Sequence, residues 1–422
     1  MAVGWGEPRS AHRHARDSGQ RLLVASAVLL LVWAVTQTSL DGVSYVNAAL
    51  AFGALIAFGE LLRLNLQGNR EAAPIATAGA LAYALLLRIG DTQARYGPQQ
   101  VVAVTAIGMI VGALPHLAAG RPARLAAMSA RLLGVACVAA AFRTLDSDGL
   151  IGAKWESQLA VMLGLVIFCW LLEAVVSTLI RTDVRRGRFG VTLRDELRVQ
   201  LPIGAATGAS ALLIVFAAEI MGLEAVAVFA APLLVTQVAL RRNAGVSATY
   251  LQAVRALARV TEIGGYVEAG HSVRVSTLAV AIGRDLGMPE AALQELEYAA
   301  LMHDIGQLSL RDPVPGGATV LVTREEQRRI AEYGAEVIQQ ARVLDSVADI
   351  VRRQSDPCKP TDQTQSPPLS SRIIRAANAY DDLVGSSPDP ERAAAAMEWL
   401  RLETGSEYDS QVVEALSRLV VQ

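Results

Sequence analysis

Apolar segments recur along the first 240 residues, at roughly 22–38, 46–62, 72–90, 99–119, 125–142, 157–180, 201–221 and 224–240. Several approach the ~20 residues that a helix needs to cross a hydrocarbon core. This pattern restricts the N-terminal half to a polytopic helical membrane domain of about eight spans. The run 201–240 is long enough for two of them, with Met221-Gly222-Leu223-Glu224 as the tight turn. The segments 46–62 and 125–142 carry the charged residues Glu60 and Arg131. Over all 422 residues the hydrophobic fraction is 52%, the charged fraction 18% and the mean hydropathy +0.35, and the apolar excess lies before residue 241.

Positive charge orients the spans. With the N-terminus inside, the inner segments carry Arg9, Arg13, Arg16, Arg21, then Arg63 and Arg70, then Arg121, Arg124 and Arg131, then the arginines of 181–198, then Arg241 and Arg242. The outer segments carry Arg88, Arg95, Arg143 and Lys154. This asymmetry follows the positive-inside rule. With an even number of spans, both termini are expected in the cytoplasm and the chain in the inner (cytoplasmic) membrane. No small-residue cleavage site follows 22–38, so a retained first span is expected. A net charge of -2 gives no signal for nucleic acid. Cys137, Cys169 and Cys358 form neither a zinc spacing nor a disulfide framework.

Polar residues inside spans are costly and can mark function. Glu173 and Arg131 read either as a buried pair or ligand site, or as an arginine snorkelling to the inner interface and a glutamate bonded within the bundle. Pro232 is placed to kink the last span. The six arginines of 181–198, interleaved with Phe189, Val191, Leu193 and Leu197, suit a surface helix on anionic lipid or a topology-setting loop.

Beyond Arg242 the pattern changes. Residues 246–268 carry Leu251, Val254, Leu257, Ala258 and Thr261 at helical spacing, as a helix connecting the membrane to a soluble domain. Helical periodicity continues at 272–286, 290–303, 324–344, 369–384, 391–402 and 409–421, with no sustained alternation that would call for strands. The organisation expected is a tail over 1–21, membrane domain over 22–242, connecting helix over 243–268 and an all-helical domain over 269–422. Within the last, His303-Asp304 ends an apolar helical run and can put an imidazole and a carboxylate on one metal ion, with His271 as a third ligand.

From His271 onward the chain resembles the HD-GYP branch of the HD metal-dependent phosphohydrolase superfamily. The resemblance rests on four segments in order: His271-Ser272-Val273-Arg274-Val275; Tyr298 to Gly306 with His303-Asp304-Ile305-Gly306; Arg372 to Asp381; and Thr404-Gly405-Ser406-Glu407-Tyr408-Asp409. It implies an all-α HD-type domain, a site of two or more metal ions, usually iron or manganese, and hydrolysis of cyclic dinucleotides such as cyclic di-GMP. His303 and Asp304 would be central ligands, Asp304 the bridge, and His271 would complete one face.

The chain departs from that pattern at several positions. Gln307 stands where the family has a Lys, Ile330 where it has a His, and Arg352-Arg353-Gln354 where it has His-His-Glu. The GYP segment is replaced by Asp356-Pro357-Cys358-Lys359-Pro360, and the last Asp by Asn378, a weak ligand through a neutral oxygen. His271, His303 and Asp304 remain, enough for one ion with open positions or for none. Arg352 and Arg353 would repel a cation and attract phosphate. Asp381 or Asp382 could replace the lost Asp if the helix shifted by one turn, and Glu268 is a further candidate ligand. The expected function is a membrane-anchored signalling protein whose degenerate domain binds a cyclic dinucleotide or a protein partner, with a homodimer allowed. The alternatives are an active phosphodiesterase, and a transporter or receptor with a vestigial regulatory domain.

Overall fold

The computed structural model describes residues 10–66, 70–120, 125–147, 154–185, 189–314, 317–340, 344–359, 366–387 and 389–420. The N-terminal tail to residue 9, Arg121, Arg124, residues 186–188 of the arginine-rich stretch, the Pro315-Gly316 step and the loop 360–365 fall outside them, as do the side chains of Arg13, Arg16, Arg70, Arg181 and Arg185. The chain divides into two compact units: Met1–Val184 with Thr192–Gly245, and Arg185–Val191 with Val246–Gln422.

The first unit is built from α1 (Ser10–Asp41), α2 (Val46–Leu61), α3 (Pro74–Leu85), α4 (Pro98–Ala118), α5 (Leu125–Ser147), α6 (Trp155–Arg185), α7 (Phe189–Met221) and the first part of α8 (Glu224–Ile263). Within these helices the stretches Gly19–Asp41, Pro98–Ala118, Leu125–Asp146, Trp155–Ile180 and Thr192–Met221 are long and apolar enough to cross a membrane. Three shorter apolar stretches, Val46–Leu61, Pro74–Leu85 and Glu224–Ala239, complete the eight apolar segments. The turn expected between the last two is present: α7 stops at Met221, Gly222 takes φ 65° and α8 starts at Glu224.

The segment 72–90 departs from the expected span. Its helix α3 has 12 residues, ~18 Å at 1.5 Å per residue, and almost all of them are buried. After Leu85 the chain turns extended, and Arg88–Ile89 pairs antiparallel with Thr92–Gln93 around Gly90 at φ 57°. The Arg143 guanidinium from α5 holds this excursion by donating to Leu86 O at 3.0 Å and Ala94 O at 3.2 Å. A second short pair joins Leu64–Leu66 to Arg70–Ala72. Helix α2 approaches its neighbours through glycines. A Cβ on Gly59 would lie 2.2 Å from Ala76 N, and one on Gly112 2.2 Å from Ala57 O.

Arg131 does not snorkel. It is 6% exposed and pairs with the fully buried Glu60 at 3.0 Å, while Arg63 pairs with Glu71 at 3.2 Å and approaches Glu60 at 4.0 Å. Glu173 is only partly buried on α6, and the partner of Arg131 is Glu60.

The second unit is all-helical. It holds α9 (His271–Asp285), α10 (Glu290–Met302), α11 (Arg324–Gln339), α12 (Asp345–Arg352), α13 (Leu369–Val384), α14 (Pro390–Leu402) and α15 (Ser410–Val420), with 3-10 turns at Ile305–Ser309 and Thr319–Leu321. Its core takes Ile282, Leu296, Ala299, Ala300, Val351, Ile373, Ala377 and Leu416 from five helices, with Val254 and Ala258 of α8. Burial of such side chains, ~1.5–3 kcal/mol each for the larger ones, is what holds helices this short. Helix α11 starts on a capping box, in which the Thr323 hydroxyl accepts from Glu326 N–H and the Glu326 carboxylate accepts from Thr323 N–H.

Candidate metal and phosphate site

Three local features bring the histidines together. Gly270, at φ 79°, turns the chain so that His271 is the first residue of α9. The apolar face of α10 ends at Met302, leaving His303 as its C-terminal cap and Asp304 at the start of the 3-10 turn. Gly306 then packs directly on α11, where a Cβ would stand 1.9 Å from Ile330 O. Only glycine permits that approach, and it fixes the backbone immediately after the His-Asp pair.

The donor atoms converge. His271 Nε2 lies 3.1 Å and His303 Nε2 3.2 Å from Asp304 Oδ2, and the two nitrogens are 3.4 Å apart. All three side chains are buried, at 4%, 1% and 3% exposure. Each ring is oriented from behind. His303 Nδ1 donates to Ala300 O at 2.8 Å, and His271 Nδ1 donates to Asp381 Oδ2 at 2.8 Å. Asp381 is itself gripped by Arg274, whose Nε donates to Oδ1 at 2.8 Å and Nη2 to Oδ2 at 2.9 Å. With Nδ1 donating from both rings, each presents Nε2 to the cluster, and that atom carries a lone pair when the ring is neutral.

Helix α13 adds more acceptors. Asn378 Nδ2 donates to Thr319 Oγ1 at 2.9 Å, which leaves Oδ1 at 2.9 Å from His303 Nε2. Asp382, one turn further along the same face, places Oδ1 4.0 Å from His271 Nε2 with a side chain 3% exposed. Asp381 stands behind the His271 ring, on Nδ1, and Asp382 stands beside the cluster on the Nε2 side. Glu268 does not reach the cluster. It lies at the surface, 44% exposed, and pairs with Arg274 and Ser386.

Such an arrangement calls for positive charge. Two imidazole nitrogens, a carboxylate and an amide oxygen face one another, and the buried Asp304 Oδ2 has no hydrogen-bond partner besides the two imidazoles. The titration shifts follow. Burial opposes charge on His271, yet its hydrogen bonds to Asp304 and Asp381 push its pKa up to about 10. Burial opposes charge on His303 too, and the Asp304 carboxylate raises it. Burial would raise Asp304, but the charge of His303 and the bonds from both imidazoles hold it well below the usual carboxylate range. Burial, reinforced by Asp304, pushes Asp382 up to about 7 against the pull of His271. Imidazole, carboxylate and amide oxygen are the donor set of a divalent transition metal, so these residues fit one ion.

The cluster opens on a cavity of ≈ 230 Å³. His303, Asp304 and Asn378 form its floor, and its walls include Arg324, Arg375, Gln354, Ile330, Trp399, Glu407 and Tyr408. The cations here are Arg324 and Arg375. Arg352 and Arg353 are outside the cavity lining, where Arg352 pairs with Asp349 at 2.7 Å and Arg353 with Asp356 at 3.3 Å. Arg324 and Arg375 share the Glu407 carboxylate, one on each oxygen. Gln354 Nε2 donates to His303 O at 2.7 Å, so it supports the pair from the backbone side. Gln307 is fully buried and donates to Gly317 O at 3.3 Å, away from the cavity wall. Sequence reasoning missed Arg324, Arg375, Glu407, Trp399 and Tyr408, which converge from separate elements. Arg375, Glu407 and Tyr408 lie within the segments that carry the resemblance, and Arg375 stands three residues before Asn378 on the same helical face.

Comparison with known proteins agrees with this geometry. The HD domain family matches residues 269–383. The chain is 25% identical over 164 residues to a cyclic di-GMP phosphodiesterase of Thermotoga maritima, covering 35% of the chain and 44% of that protein. It is 28% identical over 180 residues to the cyclic di-GMP phosphodiesterase response regulator RpfG of Xanthomonas campestris pv. campestris, covering 38% and 47%. It is 26% identical over 159 residues to the cyclic di-GMP phosphodiesterase PA4108 of Pseudomonas aeruginosa, covering 36% and 38%. The chain thus spans less than half the length of the curated relatives it matches, and no solved structure matches it. Residues 269–383, with the His-His-Asp cluster inside them, form an HD domain, and the relatives this part of the chain matches are named as cyclic di-GMP phosphodiesterases.

Proposed function

We propose that this protein is a membrane-anchored signalling protein whose HD domain binds a phosphodiester of the cyclic-dinucleotide class beside a single divalent ion, and hydrolyses it slowly or not at all. The observation that carries this reading is the closed set of buried acceptors at His271, His303 and Asp304, opening directly on a cavity with two arginines. His271, His303 and Asp304 would hold the ion, with Asn378 Oδ1 beside them. Such an ion, when bound, neutralises phosphoryl oxygen charge and acidifies bound water.

The other roles belong to the chain's own side chains. Arg375 and Arg324 present guanidinium groups suited to phosphate oxygens. Glu407 accepts from both of them, one guanidinium on each oxygen, as a phosphate would. Trp399 and Tyr408, edge to face at 5.8 Å, offer an aromatic wall, and stacking a base on such a wall contributes ~1–3 kcal/mol. Asp381 and Arg274 keep the His271 ring turned toward the ion. Slow turnover is favoured by what stands around the cluster. Ile330 offers no donor, and Arg352 and Arg353 are engaged with Asp349 and Asp356.

The inner membrane location with both termini in the cytoplasm is part of this proposal, supported by the arginine distribution and by five helices able to span. The test uses the full chain in detergent, titrated with Mn2+ and then with cyclic di-GMP. One ion per chain, saturable nucleotide binding and turnover far below the ~10 s−1 of an ordinary enzyme are expected. Two ions with brisk hydrolysis would establish the active phosphodiesterase instead.

A further inference from the structure

Of the charged side chains that line the cavity, all but one are engaged. Asp304 meets two imidazoles, and Arg324, Arg375 and Glu407 are bound to one another. Glu403 also lines the cavity, yet its carboxylate takes part in no ion pair among the described residues. It is the C-terminal cap of α14, one turn after Trp399, so indole and carboxylate share a face of that helix. The cap uses only the backbone: Glu403 O accepts from Glu407 N–H at 3.1 Å and from Tyr408 N–H at 3.3 Å. A carboxylate at a helix C-terminus opposes the helix dipole, so local stability does not account for its charge. The side chain is exposed and open to a ligand.

Tyr408 links the two parts of the wall. The Arg375 guanidinium lies 5.7 Å from its ring centroid, and Trp399 meets it edge to face at 5.8 Å. A cation and a stacking surface are thus neighbours, as phosphate and base are in a nucleotide. The cavity of ≈ 230 Å³ is smaller than the ~300–1,000 Å³ that encloses a whole small molecule, so it suits one half of a cyclic dinucleotide. An anionic ligand gains from a free carboxylate only through a neutral part that donates. The guanine edge offers N1–H and N2–H side by side, matched to two carboxylate oxygens. Adenine presents the N1 lone pair there, which a carboxylate repels. Uracil offers one N–H between two carbonyls, and cytosine one amino group beside a lone pair.

We propose that Glu403 is the specificity-determining residue of this cavity: with the base stacked on Trp399, its carboxylate accepts N1–H and N2–H of guanine and rejects adenine. This assignment rests on the cyclic-dinucleotide reading above and adds to it the group that chooses the base. Arg324 and Arg375 serve every phosphodiester of the class alike, so discrimination falls to the end of α14.

Calorimetric titration of the full chain in detergent, with Mn2+ present throughout, compares cyclic di-GMP with cyclic di-AMP. The unaltered chain is expected to favour cyclic di-GMP by at least ~10-fold, the size of one charge-assisted hydrogen bond. Glu403→Gln, which turns an amide donor toward the guanine edge, is expected to bring the two affinities within about threefold of each other. Glu403→Ala removes the carboxylate outright and is expected to do the same. Trp399→Ala is expected to weaken both nucleotides alike, by about fivefold or more, because stacking serves either base. Each variant is judged by a ratio of affinities, so a partial loss of folded chain does not alter the outcome. Equal affinities in the unaltered chain, or a ratio left at ~10 in E403Q and E403A, overturn the Glu403 assignment and leave the phosphate site standing. Uptake of neither nucleotide by the unaltered chain overturns the assignment and the cyclic-dinucleotide reading together.

Discussion

Each unit buries a polar cluster among its described residues, and the two are built on opposite principles. In the membrane unit Glu60 meets Arg131 and Arg63, and Arg63 meets Glu71, so opposite charges close on one another. In the HD unit His271, His303, Asp304 and Asn378 turn acceptor atoms toward one point, and arginine is kept behind Asp381. Burial is nearly complete in both, so burial alone does not mark the functional site. The balance of donors and acceptors does. A self-paired network stabilises or specifies packing, whereas an acceptor-only cluster needs something added, and a cation is the simplest addition.

Four experiments break or sharpen that contrast, from the largest effect downward. Asp304→Ala removes the atom common to both His contacts, and metal analysis of the purified chain should find no ion at all. Retained metal would place the ion elsewhere. Glu60→Ala leaves Arg131 buried without its partner, at a cost of about 3 kcal/mol. Thermal unfolding in detergent should show the loss, and the double change E60L/R131M should restore much of it. An unchanged midpoint for Glu60→Ala would make the ion pair dispensable.

Arg375→Ala should weaken cyclic di-GMP binding by about 10-fold, the size of one charge-assisted hydrogen bond. Glu407→Gln should tighten it severalfold by releasing both arginines, as read by the same titration. Equal affinities in the two variants would exclude the cavity as the phosphate site. The smallest effect belongs to Arg352→Ala and Arg353→Ala. Their pairs with Asp349 and Asp356 lie near the surface and contribute ~0–1 kcal/mol, so nucleotide affinity should change by less than about twofold.

Legibility in the sequence followed the range of the interactions. The helices of the HD unit and the triad His271, His303 and Asp304 were readable because period and local motif carry them. The relation of Asn378 to Asp382 was readable, since i and i+4 share a helical face and Asp382 was a candidate from the sequence, whereas the bonds that hold its carboxylate from Thr319 and Val320 were not, because they come from a separate element. The excursion after Leu85 was not readable. It depends on Arg143 reaching two carbonyls about fifty residues away in sequence, within an apolar stretch that otherwise scans as a span. The arginines of the cavity were missed for the same reason. Arg324, Arg375 and Glu407 meet from three elements, whereas Arg352 and Arg353 merely sit where a motif would place ligands.

The central claim is one divalent ion in the HD unit, set in a cavity that binds a cyclic dinucleotide and scarcely turns it over. Metal stoichiometry and cyclic di-GMP turnover measured on one sample of the full chain test it most directly. One ion per chain, with nucleotide bound and recovered intact, is the result this account predicts. Two ions per chain with rapid hydrolysis, or nucleotide bound equally well after Asp304→Ala and Arg375→Ala, would contradict it.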